Sequence, residues 1–303
     1  MDVSIIIVNY KTAGLIADCV ESIIRKTFDL EYEVIILDND SEPDFEEIIS
    51  TRIPEDYKNK FKFIALDENI GFGRANNEGL KYSSGRNILF LNPDTVILNN
   101  AIKTLSDFLD SHDNAGACGA NILGEDMKPA QSFQRFLPGI FYEINNLFHD
   151  LPQKFLYREN IIYNNTGSPM SVSLIIGADL MVKRSVIEKV GAFCDEYFMY
   201  YDETDLCARI KRAGYEIFNV PDALIQHLEG KSLSEDQKWI DERRPRLHEE
   251  SKRIFYRRNL GAIERRLATF IYRLFLDSRI LLIKNPPKKN YYRFRKKSFF
   301  SKR

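Results

Sequence analysis

Apolar positions in the first hundred residues come in short continuous runs, at Val3 to Asn9, Val34 to Leu37, Lys62 to Leu66 and Ile88 to Leu91. Between them the period changes. Gly14 to Arg25 places Leu15, Ile16, Cys19, Val20, Ile23 and Ile24 at helical spacing, and Glu42 to Thr51 and Phe72 to Tyr82 also read as helices. Unbroken apolar strands are buried on both faces, so their alternation with helices predicts an α/β fold with a mostly parallel sheet covered on both sides.

The pattern then loosens. Phe133 to Tyr163 is rich in aromatics and Asn, contains Pro138 and Pro152, and has no clean period. It reads as a long excursion serving as a lid or acceptor wall. Ser171 to Val182 is strand-like, and Leu206 to Ala213 is a short helix ended by Gly214. Glu216 to Val220 and Ala223 to Gln226 are two further strands, and helix is predicted from Asp236 onward. Pro286-Pro287 separates the last helix from a basic tail expected to be disordered. The predicted organisation is a domain over 1–235, C-terminal helices over 236–284 and the tail over 285–303. Within the domain, 1–110 forms a nucleotide-binding half and 111–235 an acceptor and catalytic half.

Composition adds two constraints. With 44% hydrophobic and 29% charged residues the chain can bury a core. The formal net charge of -1 hides an asymmetry, because Arg243 to Arg303 carries 20 Lys/Arg against 4 Asp/Glu and the remainder 23 against 40. A basic end on an acidic body points to an anionic partner. The four cysteines (Cys19, Cys118, Cys194, Cys207) are widely spaced and read as free thiols of a reducing compartment. Neither a signal peptide nor a run of about 20 uncharged apolar residues is evident, which suggests a cytoplasmic protein without a spanning helix.

Candidate chemistry lies where the strands end, since open α/β sheets bind ligands at their carboxyl ends. Asn9 and Tyr10 follow the first strand, and Asp38, Asn39, Asp40 and Ser41 follow the second. They either line a nucleotide crevice or cap strand-to-helix turns. After the third strand come Asn69, Gly71, Gly73, Arg74 and Asn76. Two glycines opening a helix admit an anion to the backbone or serve close packing. Asn76 stands where a dinucleotide fingerprint needs a third glycine, so that motif is excluded. Asn92-Pro93-Asp94 ends the fourth strand and offers a short, hard oxygen ligand for Mg²⁺ or Mn²⁺. A hundred residues later, Asp202-Glu203-Thr204-Asp205 supplies a carboxylate cluster suited to a general base.

The segments VSIIIVNY, LDNDS, NIGFGRANNEG, LFLNPD, GADLMVKR, VGAF, FMYYDETDLCARIKRAGYEI and VPDALIQH follow one another in a characteristic order from about Val3 to Ser232. In this the chain resembles the family 2 glycosyltransferases of the GT-A fold, and among them the bacterial rhamnosyltransferase-like members. The resemblance implies a Rossmann-like, mostly parallel sheet flanked by helices, here with a C-terminal helical extension. It puts Asn92 and Asp94 at the family's metal-binding Asp-x-Asp motif, with an amide in place of the first carboxylate, and His227 at a histidine that reaches the metal. Relatives read Glu-Asp-x-Asp where this chain has Asp202-Glu203-Thr204-Asp205, so the base position falls on Glu203, with Asp202 as alternative. Asp205 is expected to brace the site or cap the helix. The implied reaction is inverting, metal-dependent transfer of a sugar from a nucleoside diphosphate to a hydroxyl of a surface glycan or polyprenyl-linked saccharide. The implied donor is dTDP-rhamnose, or else a UDP-sugar carrying galactofuranose, a hexose or an N-acetylhexosamine.

Outside the resemblance, Ile263, Leu267, Phe270, Ile271, Leu274, Leu281 and Leu282 form a helical stripe flanked by Arg265, Arg266, Arg273 and Arg279. With the basic stretch Lys288 to Arg303 it suits peripheral attachment to an anionic membrane at its inner, cytoplasmic face. The alternative is a helix packed on the body with a solvated tail. Aromatics interleaved with the basic residues also permit RNA binding, but no nucleic-acid partner is expected. Two other classes would leave different signatures. A nucleotidyltransferase should carry an early Gly-rich phosphate loop, and only Gly14 is present there. A non-catalytic membrane or glycan-binding protein has no need of Asp94, Glu203 and His227 together.

Overall fold

Three of the apolar runs become interior strands of one sheet and the fourth its edge. In a computed structural model describing residues 1–40, 45–228 and 242–301, the first half alternates as the periodicity predicts. It contains β1 (Val3–Asn9), α1 (Ala13–Lys26), β2 (Tyr32–Asn39), α2 (Phe45–Ser50), β3 (Phe61–Leu66), α3 (Phe72–Leu80) and β4 (Asn87–Leu91). The strands pair in parallel in the order β3-β2-β1-β4. Every residue of β1 and β4 is buried, which is why their sequences are apolar without alternation.

A short β5 (Thr95–Ile97) and α4 (Ala101–Ser111) lead to β6 (Ala115–Leu123), none of which the sequence reading had delimited. The excursion is more regular than expected, comprising β7 (Phe133–Gln134), α5 (Ile140–Leu147) and α6 (Leu151–Tyr157). The chain then returns through β8 (Met170–Val172), β9 (Leu174–Ile175), β10 (Asp179–Lys183), α7 (Arg184–Val190), α8 (Asp202–Arg212) and β11 (Glu216–His227). β10 enters antiparallel between β4 and β6, and β11 runs parallel to β6 and antiparallel to β5. The two strands predicted over 216–226 are one. Its ladder shifts between Val220 and Leu224, where Pro221 has no N–H to donate.

Two cores separate along β1. Ile5 and Ile7 join α1, α2 and α4 through Ile16, Val20, Ile49 and Leu105. Ile6 and Val8 face α3, α7 and α8 through Ala75, Val186, Leu206 and Ile210. α8 starts one turn earlier than the spacing predicts, because the acidic side chains of Glu203 and Asp205 in its first turn suit the positive end of its dipole.

The third core corrects one expectation. α9 (Arg244–Asn259), α10 (Ala262–Leu282) and α11 (Pro286–Phe300) pack with α5, and the 285–303 stretch is not a disordered tail through residue 300. Asn285 caps α11 by accepting from the Lys288 N–H. Arg295 pairs with buried Glu249 of α9 at 2.5 Å, and Phe299 lies edge-on to Tyr272 at 4.9 Å. Composition alone predicts a solvated tail, since the residues that immobilise it are distant in sequence. Buried Lys252 pairs with buried Glu143 of α5 at 2.6 Å, tying the excursion to the same bundle.

Burial by itself would push the Glu249 carboxyl up, but the adjacent His248 ring, 3.7 Å away, and the charges of Arg295 and Lys252 hold it down at about 2. A depressed carboxyl contributes stability that is complete above its ordinary value of 4.5 and lost as pH falls toward about 2. Denaturation of Glu249→Ala should therefore show a loss of about 3–5 kcal/mol at neutral pH, because the largely buried Arg295 loses its carboxylate partner. That difference from wild type should shrink below pH 4.5.

Candidate active site

Four parallel strands end on one side of the sheet, and the polar residues that follow them are drawn together there. Asn9 and Asp38 are register partners on β1 and β2, and the Asn9 amide donates to the Asp38 carboxylate at 3.1 Å. Asn9 also accepts from the N–H and hydroxyl of Thr12, so it fixes the turn while orienting a partly exposed Asp38. Buried Asn39 accepts from the Ile70 N–H at 3.0 Å and donates to Asn69, whose side chain accepts from the Gly71 N–H. Asn39 and Asn69 thus shape the loop into α3. Tyr10 is partly exposed at the same end. Ser41 lies outside the described residues.

The glycine loop is used differently from an anion cradle. Gly71 sits at φ +91°, and a Cβ there would lie 2.4 Å from the carbonyl oxygen of Phe198, which accepts from the Phe72 N–H. A Cβ on Gly73 would lie 2.5 Å from Oδ1 of Asp202. Arg74 donates twice to the Asp195 carbonyl, at 3.0 and 2.6 Å. Asn77 donates to the carbonyl of Phe193 and accepts from its N–H, while Asn76 donates back to Phe72 in its own helix. The space and the charge are taken up by the 193–202 segment, which α3 holds against the sheet.

That segment ends in two consecutive left-handed residues, Tyr200 (φ 67°) and Tyr201 (φ 65°). Each costs about 1–3 kcal/mol and persists only where packing over-determines it. Here the Tyr201 ring meets His248 and Phe255 of α9 at 5.3 and 5.7 Å, and Ser251 donates to the Met199 carbonyl at 2.7 Å. The reversal delivers three carboxylates to the start of α8 in unlike settings. Asp202 is fully buried against Gly73, with no well-formed hydrogen bond to either oxygen. Burial, helped by the neighbouring Glu203 charge, pushes its pKa well up, so it favours the protonated form. Asp205 accepts from Arg209 and Asn259, both at 2.8 Å, and from the Tyr197 hydroxyl at 3.3 Å, which makes it a brace. Glu203 is partly exposed and accepts from the Thr204 hydroxyl at 3.3 Å. A Cβ on Gly177 would sit 3.4 Å from the Glu203 side chain. Burial raises its pKa, against the backbone N–H groups and hydroxyl at the helix start.

Beyond Gly177, the Ala178 carbonyl accepts from the Asn92 N–H at 2.9 Å, at the head of the Asn92-Pro93-Asp94 turn. Asp94 is 1% exposed, and its oxygens make no hydrogen bond of good geometry. The antiparallel pairing of β5 with β11 sets His227 opposite Thr95, placing its Nε2 at 3.2 Å from an Asp94 oxygen. A buried, unsatisfied carboxylate beside an imidazole nitrogen fits a divalent cation. Among the described residues no group of three or more His, Cys, Asp or Glu converges on a metal position, so these two side chains would act with ligand and water oxygens.

Sequence reasoning missed Asn77, Gly177, Asp179 and the Tyr200-Tyr201 turn. Asp179 interrupts an apolar run, is fully buried, and accepts from the Ala120 N–H; burial pushes its pKa well up. That interruption was a visible signal. The roles of Asn77 and Gly177 depend on contacts with residues distant in sequence and left none.

A family model described as "Glycosyl transferase family 2" matches residues 4–191. The chain is 36% identical over 113 residues to the minor teichoic acid biosynthesis protein GgaB of Bacillus subtilis, covering 37% of this chain and 12% of that protein. It is 29% identical over 174 residues to the dTDP-rhamnosyl transferase RfbF of Shigella flexneri, covering 56% of this chain and 53% of that protein. These matches thus span about half the relatives' length or less. In three dimensions it is similar to a mannosyltransferase from Pyrobaculum calidifontis in complex with GDP-Man and Mn²⁺. The TM-score is 0.58 at 13% identity, over 98% of this chain and 84% of the other, which supports a GT-A-like fold.

Gly71→Ala should lower stability by about 1–3 kcal/mol in urea unfolding, since the residue is left-handed and its Cβ meets backbone. Gly73→Ala keeps a helical backbone, but its Cβ meets the fully buried Asp202 carboxyl at 2.5 Å and Phe193 Cβ at 3.1 Å, so a loss of about 1–3 kcal/mol together with reduced glycosyl transfer is expected. Equal transfer by wild type and Gly73→Ala would show that the contact does not matter to transfer.

Proposed function

The chain belongs to glycosyl transferase family 2, and we propose that within it this glycosyltransferase carries out inverting, metal-assisted transfer of rhamnose from dTDP-rhamnose. The acceptor in this reading is a hydroxyl of a cell-surface glycan or a lipid-linked saccharide. The observation that carries the proposal is the contrast between the two adjacent carboxylates. Asp202 is sealed against Gly73, whereas Glu203 stays partly exposed beside Gly177, on the peptide that leads to Asn92 and Asp94. Similarity to a protein named as a dTDP-rhamnosyl transferase supports the donor, and similarity to one named for teichoic acid biosynthesis supports a surface polymer as the acceptor class.

Glu203 takes the proton of the acceptor hydroxyl as that oxygen bonds to the anomeric carbon. The bond from that carbon to the diphosphate oxygen breaks on the opposite face, and the configuration inverts. Asp38, oriented by Asn9, accepts from the N3–H of the pyrimidine, with Tyr10 and Asn92 lining the donor crevice. Asp94 and His227 would hold the cation. When bound, a divalent cation such as Mn²⁺ or Mg²⁺ offsets negative charge on the leaving diphosphate. Asp205 keeps α8 in place.

Among the described residues no helix is long and apolar enough to cross a membrane. The proposed location is therefore peripheral, on the inner face of a cytoplasmic membrane, where a polyprenyl-linked acceptor would be presented and the basic C-terminal region would meet anionic lipid.

Calorimetry with dTDP-rhamnose, UDP-galactose, UDP-glucose and UDP-N-acetylglucosamine, each with and without Mn²⁺, tests the donor. Tightest, Mn²⁺-enhanced binding of dTDP-rhamnose is expected, and preference for a UDP-sugar would overturn the rhamnose assignment. Glu203→Gln should lower kcat by about 10²–10⁴-fold while donor affinity is kept. Near-normal turnover would transfer the base role elsewhere. Asp94→Ala should weaken donor binding by about 10-fold or more in Mn²⁺ and little in its absence. The proton-accepting form of Glu203 is the carboxylate, and burial raises its pKa. The wild-type kcat/KM should therefore climb with pH through a value above the ordinary 4.5 and then level off.

A further inference from the structure

α10 is amphipathic in an unusual sense, with apolar residues on two opposite sides. Ala268, Tyr272, Phe275 and Leu276 are buried against the bundle. Ile263, Leu267, Phe270, Leu274 and Leu281 follow one another at spacings of four, three, four and seven, within about 60° of arc at 100° per residue. All five are exposed, Ile263 by 76% and Leu281 by 79%. At the next helices along the bundle, α5 and α6 expose Phe141, Phe148, Leu151, Phe155 and Leu156, with Phe155 87% accessible. α5 packs along α10, and Arg279 of α10 donates to the Asn146 carbonyl at the end of α5. A monomer in water rarely leaves so many large apolar side chains uncovered on neighbouring helices.

The charge around the stripe selects its occupant. Arg266 and Arg273 flank it on one side and, with Arg265, Thr269, Phe270 and Phe300, line an open hollow of about 340 Å³ between α10 and α11. The acidic residues of α10 are Glu264 and Asp277, and Asp277 is already paired with Lys296 and lies 3.9 Å from Arg273. The exposed basic residues Lys284, Lys288, Arg293 and Lys297 extend the same sign along α11. Guanidinium groups bordering an apolar ridge match the phosphate level and acyl boundary of a bilayer.

We infer that the outward stripe of α10, together with the α5–α6 excursion, is the surface that docks on an anionic lipid bilayer. This refines the peripheral-membrane part of the proposed function, on which it rests. The insertion is made by α10 and α5–α6, because Arg295, Lys296 and Phe299 of α11 are spent on contacts within the bundle. The docking surface is then the outer side of the layer whose inner side clamps Tyr201 and the start of α8.

Co-sedimentation of the full chain with vesicles of phosphatidylcholine alone, or of phosphatidylcholine with phosphatidylglycerol, tests this. Binding to the anionic vesicles only, weakening as salt rises, is expected. Leu267→Glu with Leu274→Glu should cut it by about 10-fold or more, equivalent to about 1.4 kcal/mol, as should Arg266→Glu with Arg273→Glu. Unchanged donor calorimetry and thermal unfolding in the same variants would establish that they fold. Vesicle binding unaffected by these variants but lost in Lys288→Glu with Arg293→Glu would overturn the assignment of the surface while keeping the membrane reading. Wild-type protein that binds neither vesicle but still binds donor would overturn both membrane statements and leave sugar transfer standing. Concentration-dependent dimerisation in sedimentation velocity, abolished by Leu267→Glu with Leu274→Glu, would give the surface to a second copy of the chain instead.

Discussion

The placement of the carboxylates at the start of α8 depends on how closely the 193–202 segment can approach the start of α3. Two missing side chains set that distance. Without a Cβ at Gly71 the Phe198 carbonyl can accept from the Phe72 N–H, and without one at Gly73 the Asp202 carboxyl can be sealed into the interface. Arg74 and Asn77 then stitch the same surfaces together through backbone atoms of Phe193 and Asp195. Hydrogen bonds to backbone hold a segment wherever its side chains vary, so the clasp fixes the path of the chain into α8. The direction of Glu203 follows from that path.

The same segment is held from behind. Tyr200 and Tyr201 adopt left-handed backbone that neither would choose alone, and α9 supplies the compensation through His248, Phe255 and Ser251. α9 is in turn locked by ion pairs with little access to water, Lys252 with Glu143 and Glu249 with Arg295. Charges so placed add little net stability over an apolar core, but they are costly to separate. They therefore specify one arrangement of α5, α9, α10 and α11. A C-terminal region that composition marks as a solvated appendage is thereby made part of the support of the active site.

Much of the first third of the chain was legible from its sequence. Short continuous apolar runs suit strands covered by helices, and the helices between them carry a 3.6-residue stripe, so β1 to β4 and α1 to α3 fall within a few residues of their predicted places, with β3 a partly exposed edge strand. The carboxylates at strand ends were legible for the same reason, because burial forces a polar residue there to do something. The 285–303 stretch misled because its partners, Glu249, Asp277 and Tyr272, lie tens of residues away. The glycine loop was ambiguous because a bare GxG serves anion approach and tight packing equally well.

Sequence by itself determined the class of fold, the four parallel strands and the types of residue offered at their ends, since all of these follow from local periodicity and from the chemistry of single side chains. Tertiary structure alone decided which of those residues meet. Pairing of β5 with β11 brings His227 to Asp94 across 133 positions. Folding α8 against Gly73 buries Asp202 and leaves Glu203 beside Gly177. Two adjacent carboxylates of nearly equal intrinsic acidity thereby receive different environments, and burial is a property of the assembled chain that no local pattern encodes.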